Sequence, residues 1–215
     1  PLIVKYPGRI EPGRHDKFNM ISTVDLAPTL LEMVGLDVPE TMAGRSFAPL
    51  LEGRPQDDRD HVIGYYYRNL RQTKMYPEFT VQMRDWVYIY NPWVDGVTEV
   101  HNSDYTGSPT LLAMWEAAET VPSIKARTDF HKYRIREELY NIRRDPHAYM
   151  NVAEDEENSD RLAFMHELLV EWMTETDHPA LELMKDPYND SLIAEYMECE
   201  KENAVKQVEE VMGNR

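Results

Sequence analysis

Cysteine is nearly missing from this chain. Cys199 is the only one, so no disulfide can close within the sequence and no thiolate-rich zinc set can form. Long apolar runs are also missing, and none approaches the ~20 residues that cross a bilayer as a helix. Cations are scarce: 23 Lys and Arg stand against 39 Asp and Glu, a formal net charge of -16. That balance argues against a nucleic-acid backbone as partner, because phosphate binding needs a cationic surface. A polyanionic ligand would have to be met by a local basic cluster. The opening Pro1-Leu2-Ile3-Val4 run has neither a basic leader nor a signal-peptide pattern and reads as a strand. A strand at the very terminus needs partners from elsewhere, so we expect the sequence to be part of a longer protein.

What is present is a 42% hydrophobic chain of 215 residues, enough for one large domain or a small one plus part of another. After the first strand, Pro12-Gly13 marks a turn. A helix is predicted over Leu26 to Val34, with Asp25 as its cap, Pro28 in its first turn and Gly35 as its stop. Residues 36–60 are irregular and rich in Pro and Gly. Strands follow at His61 to Tyr67, Phe79 to Met83 and Trp86 to Tyr90, the last two joined by a hairpin at Arg84-Asp85. Helices are predicted over Pro109 to Glu119, over Arg161 to Met173 behind the cap Ser159, and over Leu192 to Val211. Glu138 to Ile142 makes a fourth strand. The order implies an α/β fold in which this stretch is itself α+β. The end of an α/β domain (1–56) leads into an antiparallel four-stranded sheet packed by a helix (57–180), then an acidic helical tail (181–215).

Two stretches carry a resemblance. The first runs through Pro1-Leu2-Ile3-Val4, Pro7-Gly8, Pro12-Gly13, Ser22-Thr23-Val24-Asp25-Leu26-Ala27-Pro28-Thr29-Leu30-Leu31, Pro39, Gly44-Arg45-Ser46 and Pro49-Leu50-Leu51. The second is Glu138-Leu139-Tyr140-Asn141, then Asp145-Pro146, then Asn151-Val152-Ala153. In this order and spacing they resemble the C-terminal part of the sulfatases, the formylglycine-dependent branch of the alkaline-phosphatase-like superfamily. Met75-Tyr76-Pro77, Val81-Gln82 before Trp86, Tyr133-Arg134, and Trp172 with Thr176-Asp177-His178-Pro179 bring the likeness nearest to the N-sulfatases of glucosamine-containing glycans.

The resemblance implies an enzyme that hydrolyses sulfate esters or sulfamates, with formylglycine as nucleophile and a calcium ion bound to sulfate oxygens. It also implies a periplasmic, secreted or lysosomal setting. Formylglycine arises from a Cys/Ser-x-Pro-x-Arg motif, whereas Cys199 sits in Glu198-Cys199-Glu200-Lys201 with neither the Pro nor the Arg. Neither the nucleophile nor the calcium ligands are therefore expected in this chain, which alone should be inactive. A phosphate- or phosphonate-ester hydrolase of the same superfamily, or a non-catalytic binding module, are the competing readings.

For substrate contact the best local exception to the acidic composition is the run from Tyr65 to Lys74. Arg68, Arg71 and Lys74 give three cations with no carboxylate between them, beside Tyr66 and its tyrosine neighbours. Arginine's planar fork suits sulfate, and tyrosine faces suit sugar rings. We assign Tyr66, Arg68, Arg71 and Lys74 to the sulfated saccharide, with the strand ending by Tyr67 and residues 68–74 turning at the pocket mouth; the competing reading is a solvated strand end over core tyrosines. His61, His101, His131, His147, His166 and His178 are scattered without ligand spacing. The acidic tail lacks the glycine-centred loop of an EF-hand.

Overall fold

The computed structural model describes residues 2–66, 75–100 and 108–213. They fall into two compact units, Pro1–Ile63 with Gln82–Asp85, and Gly64–Val81 with Trp86–Arg215.

In the first unit, helix α1 (Leu26–Met33) and the single turn α2 (Ala48–Leu51) carry the apolar contacts. Helix α1 stops as its sequence dictates. Gly35 takes a φ of +77°, the Leu36 N–H bonds to the Leu31 carbonyl at 2.9 Å, and the Gly35 N–H bonds to that of Glu32 at 3.0 Å. This is the paired closure that a glycine just past a helix end allows. The helix starts at Leu26 behind Asp25 as expected, but the cap is not made by the side chain. Asp25 closes a 3₁₀ turn, Thr23–Asp25, and its side chain makes no cap bond to α1. The opening run is not a strand among the described residues, and Ile3 is 93% exposed. A ladder needs a neighbouring strand, and no described residue supplies one here.

Most of a four-stranded antiparallel sheet falls in the second unit, in the order β1 (His61–Tyr66), β2 (Glu78–Met83), β3 (Trp86–Tyr90), β4 (Glu137–Asn141). Strands β3 and β4 pair in antiparallel register, Tyr88 opposite Leu139 and Tyr90 opposite Glu137. Alternation sorts the side chains. Phe79, Val81, Tyr88, Tyr90 and Leu139 are fully buried. The helix facing them is α5 (Ser159–Glu175), whose Met165, Leu169 and Met173 are fully buried. It begins two residues earlier than expected, so Ser159 is its first residue and Asn158 precedes it.

Helices α3 (Pro109–Ala118) and α4 (Pro122–Tyr133) form a hairpin between β3 and β4. The first matches the sequence reading and the second was not anticipated. Short α6 (Leu181–Lys185) and long α7 (Asp190–Gly213) complete the layer. The junction between them is tied back to the sheet. The Tyr188 hydroxyl donates to the Glu137 carboxylate, which also accepts from Tyr88 Oη at 2.8 Å, and Tyr90 Oη donates to the Pro187 carbonyl.

Candidate functional site

Of the four residues assigned to substrate, Tyr66 is described: it ends β1 and is 48% exposed. Arg68, Arg71 and Lys74 lie outside the described residues. The chain on either side of them is firmly held. Tyr65 packs against Trp172 and His178, with ring centroids 5.9 and 5.6 Å away. From residue 75 on, Met75 and Tyr76 are buried, and Tyr76 sits edge-on to Trp93 and donates to the Glu99 carbonyl at 3.0 Å.

Tyr66 shares its sheet face with Gly64, since side chains alternate along a strand. A Cβ on Gly64 would press on the Thr80 hydroxyl, so that face is also the face of Thr80 and Glu78. Here the sheet carries a polar cluster that periodicity did not reveal. Glu138 is fully buried and gathers three donors: Arg134 Nη2 at 2.9 Å, Asn91 Nδ2 at 2.9 Å and Tyr140 Oη at 2.6 Å. Arg134 also lies 3.7 Å from Glu78 and over the Phe130 ring. Its backbone is unusual for a residue with a side chain, at φ 56° and ψ -176°. Such a conformation costs of order 1–3 kcal/mol and persists only where neighbours impose it. Two buried atoms of the cluster, Asn91 Oδ1 and Arg134 Nε, have no hydrogen-bond partner among the described residues. Burial, outweighing the nearby Arg134, pushes the Glu78 carboxyl above its ordinary range, and Glu138 adds to the push. The cluster can accept hydroxyl or amine hydrogens. Two carboxylates against one guanidinium make it a poor receptor for an anion by itself.

The profile of the C-terminal family of N-sulphoglucosamine sulphohydrolases matches residues 1–109, just over half of the chain. The chain belongs to that family. An ulvan-active sulfatase of Formosa agariphila is 29% identical over 71% of this chain and 28% of its own length. The N-sulphoglucosamine sulphohydrolase of Homo sapiens is 28% identical over 83% of this chain and 37% of its own length. This chain thus spans about a third of the curated relatives it matches. The fold agrees with a solved protein in complex with its substrate, D-glucosamine-2-N,6-O-disulfate. The TM-score is 0.51 at 20% identity, covering 87% of this chain and 29% of that one.

The family's motif residues prove to be architecture. Asp25, 6% exposed, accepts from the Ser22 N–H at 3.1 Å, the Arg45 N–H at 2.8 Å and Arg59 Nη1 at 2.6 Å. Arg59 in turn donates to the carbonyls of Arg45 and Ser46 at 2.7 and 3.0 Å and to Gln56 at 3.0 Å. Thr29 bridges the Asp25 carbonyl and the Phe47 N–H. Gly44 has no alternative, since a Cβ there would collide with the Val24 carbonyl. The Val24-Asp25-Leu26 and Gly44-Arg45-Ser46 segments are thus two sides of one buried clasp, with Arg59 as its pin.

No three of His, Cys, Asp and Glu gather into a metal-holding group among the described residues. Cys199 is exposed on α7, its sulfur 3.7 Å from Asn203 Nδ2. The histidines serve other ends: His166 bonds the Met184 carbonyl at 2.8 Å, His147 stacks beside Tyr149, and His61 pairs with Asp60. His101 lies outside the described residues.

Proposed function

We propose that this chain is the C-terminal portion of a sulfatase that removes sulfate ester or N-sulfate groups from a glucosamine-containing glycan. Its role is to shape the saccharide pocket. The observation that carries this reading is the family match across residues 1–109, which includes the stretch from Tyr66 to Lys74. In this reading Arg68, Arg71 and Lys74 take a sulfate, Tyr66 takes a sugar face, and the neighbouring Glu78–Arg134–Glu138 cluster offers acceptors to hydroxyls. The formylglycine nucleophile and its calcium belong to the part of the protein outside this chain. Residues 1–56 complete the catalytic α/β domain, with 57–180 and the helical 181–215 appended to it.

The test is an assay of the intact protein on N-sulfated glucosamine, glucosamine 6-sulfate and an aryl phosphate, with calcium supplied. Release of sulfate from either sugar supports the reading. Turnover of the phosphate ester alone would overturn it in favour of a phosphatase-type hydrolase.

A further inference from the structure

Helix α5 ends on an unusual corner. His178 N–H bonds the Met173 carbonyl at 2.9 Å, closing the helix around Asp177, which takes the left-handed backbone at φ 48°. Glycine is the residue that adopts this position without cost, so the corner is held against a local penalty. What holds it is His178. Its ring lies 5.6 Å from Tyr65 of β1, 5.5 Å from Phe79 of β2 and 5.3 Å from Trp172 of α5. Its Nδ1 accepts the Ala180 N–H at 3.1 Å just ahead of α6. Ala180 is fully buried, so that N–H has no water to turn to.

An acceptor Nδ1 fixes the ring as the neutral tautomer with its proton on Nε2. We propose that His178 is a pH-sensitive latch: on acidification its ring takes a second proton, the Ala180 bond breaks, and the α5–α6 corner loosens from the β1–β2 end of the sheet. Protonated Nδ1 is a donor facing a donor, so the bond cannot survive in altered form. Of the three aromatic rings packed on His178, Tyr65 alone is titratable and none carries a carboxylate. Phe79, Trp172 and Ala180 present no titratable group. Burial alone lowers the ring's proton affinity, and no carboxylate acts to stabilise an imidazolium in place.

The latch is independent of the reaction the whole protein performs and is tested without an activity assay. Hydrogen exchange of the intact protein would follow peptides covering residues 174–185 at pH 7.5 and pH 5.0, corrected for intrinsic rates. Wild type should lose at least tenfold in protection on acidification. His178→Asn places a side-chain acceptor near the Nδ1 position and cannot titrate, so its protection should be unchanged between the two pH values. Equal protection of wild type at both pH values would overturn the latch, as would an equal loss in the Asn variant. Should that variant not fold, the ring nitrogen shifts of His178 in wild type decide the matter. A ring still neutral on Nδ1 at pH 5 with the corner open, or protonated with the corner closed, sinks the proposal.

Discussion

The carboxylate of Asp25 lies 2.6 Å from Nη1 of Arg59, thirty-four residues away, with both side chains more than nine-tenths buried. Removing one partner of such a pair strands a charge in a low-dielectric interior. Arg59→Ala should therefore cost about 3–5 kcal/mol, read as a shift in urea midpoint of the intact protein. Arg45 meets Asp25 through its backbone N–H, and its exposed guanidinium touches only the Asp57 and Asp58 carbonyls. Arg45→Ala should accordingly cost under about 1 kcal/mol. Equal losses for the two variants would mean that the clasp is not the source of stability.

The two carboxylates beside Arg134 should respond differently to neutralisation. Glu138 is fully buried and bound by three donors. Glu138→Ala should destabilise by about 3–5 kcal/mol, since Arg134 loses its 2.9 Å partner and keeps only Glu78 at 3.7 Å. Glu78 is partly exposed and its carboxyl is held above the ordinary range chiefly by burial. Its charged form is thus disfavoured in the folded state, and Glu78→Gln should be neutral or slightly stabilising at pH 7. Thermal unfolding of the two variants side by side checks the contrast.

Acid should weaken the fold through two histidines. Burial lowers the proton affinity of His131, with Arg127 and Arg134 adding to it, and burial alone lowers that of His178. The unfolded chain then binds more protons than the folded one, so stability rises with pH in this range. Stability should be complete above about 6.5, the ordinary histidine value, and fall as pH drops through the lower folded-state values. Chemical unfolding from pH 8 to pH 5 measures the slope. A flat profile across that window would count against both assignments.

The basic run should discriminate between substrates. In the intact protein, Arg68→Ala or Arg71→Ala should lower kcat/KM for sulfated saccharides by about tenfold or more, the loss of one charge-assisted hydrogen bond of about 1.5–3 kcal/mol. Small aryl sulfates should be little affected. Equal losses on both substrates, or none, would make the run structural.

Much of the fold was legible because its elements obey short-range rules. The stripe Met165, Leu169 and Met173 is periodic, Gly35 stops α1, and Trp86 to Tyr90 alternates. The misses have physical causes. Helix α4 has a weak apolar face, its only buried residue being Thr128, so periodicity had little to register. Asp25 looked like a cap because capping and buried pairing use the same carboxylate, and only the long-range partner Arg59 distinguishes them. The strand carrying Tyr66 was legible as β1, from His61 onward. The cluster on its sheet face was not, because Glu78, Asn91 and Glu138 come from three separated strand ends. Arg134, four residues before Glu138, was the one faint signal of it.

The ties between tyrosine hydroxyls and the sheet give the protein an optical readout of its own integrity. Burial, aided by Glu137 or Glu138, raises the ionisation of Tyr88, Tyr90, Tyr140 and Tyr188 above the ordinary phenol value of 10.0. The chain has 13 tyrosines, so an alkaline titration followed by phenolate absorbance should divide into two steps. The four tied rings should ionise only as the β3–β4 ladder and the α6–α7 junction come apart, turning the second step into a colour change that reports unfolding.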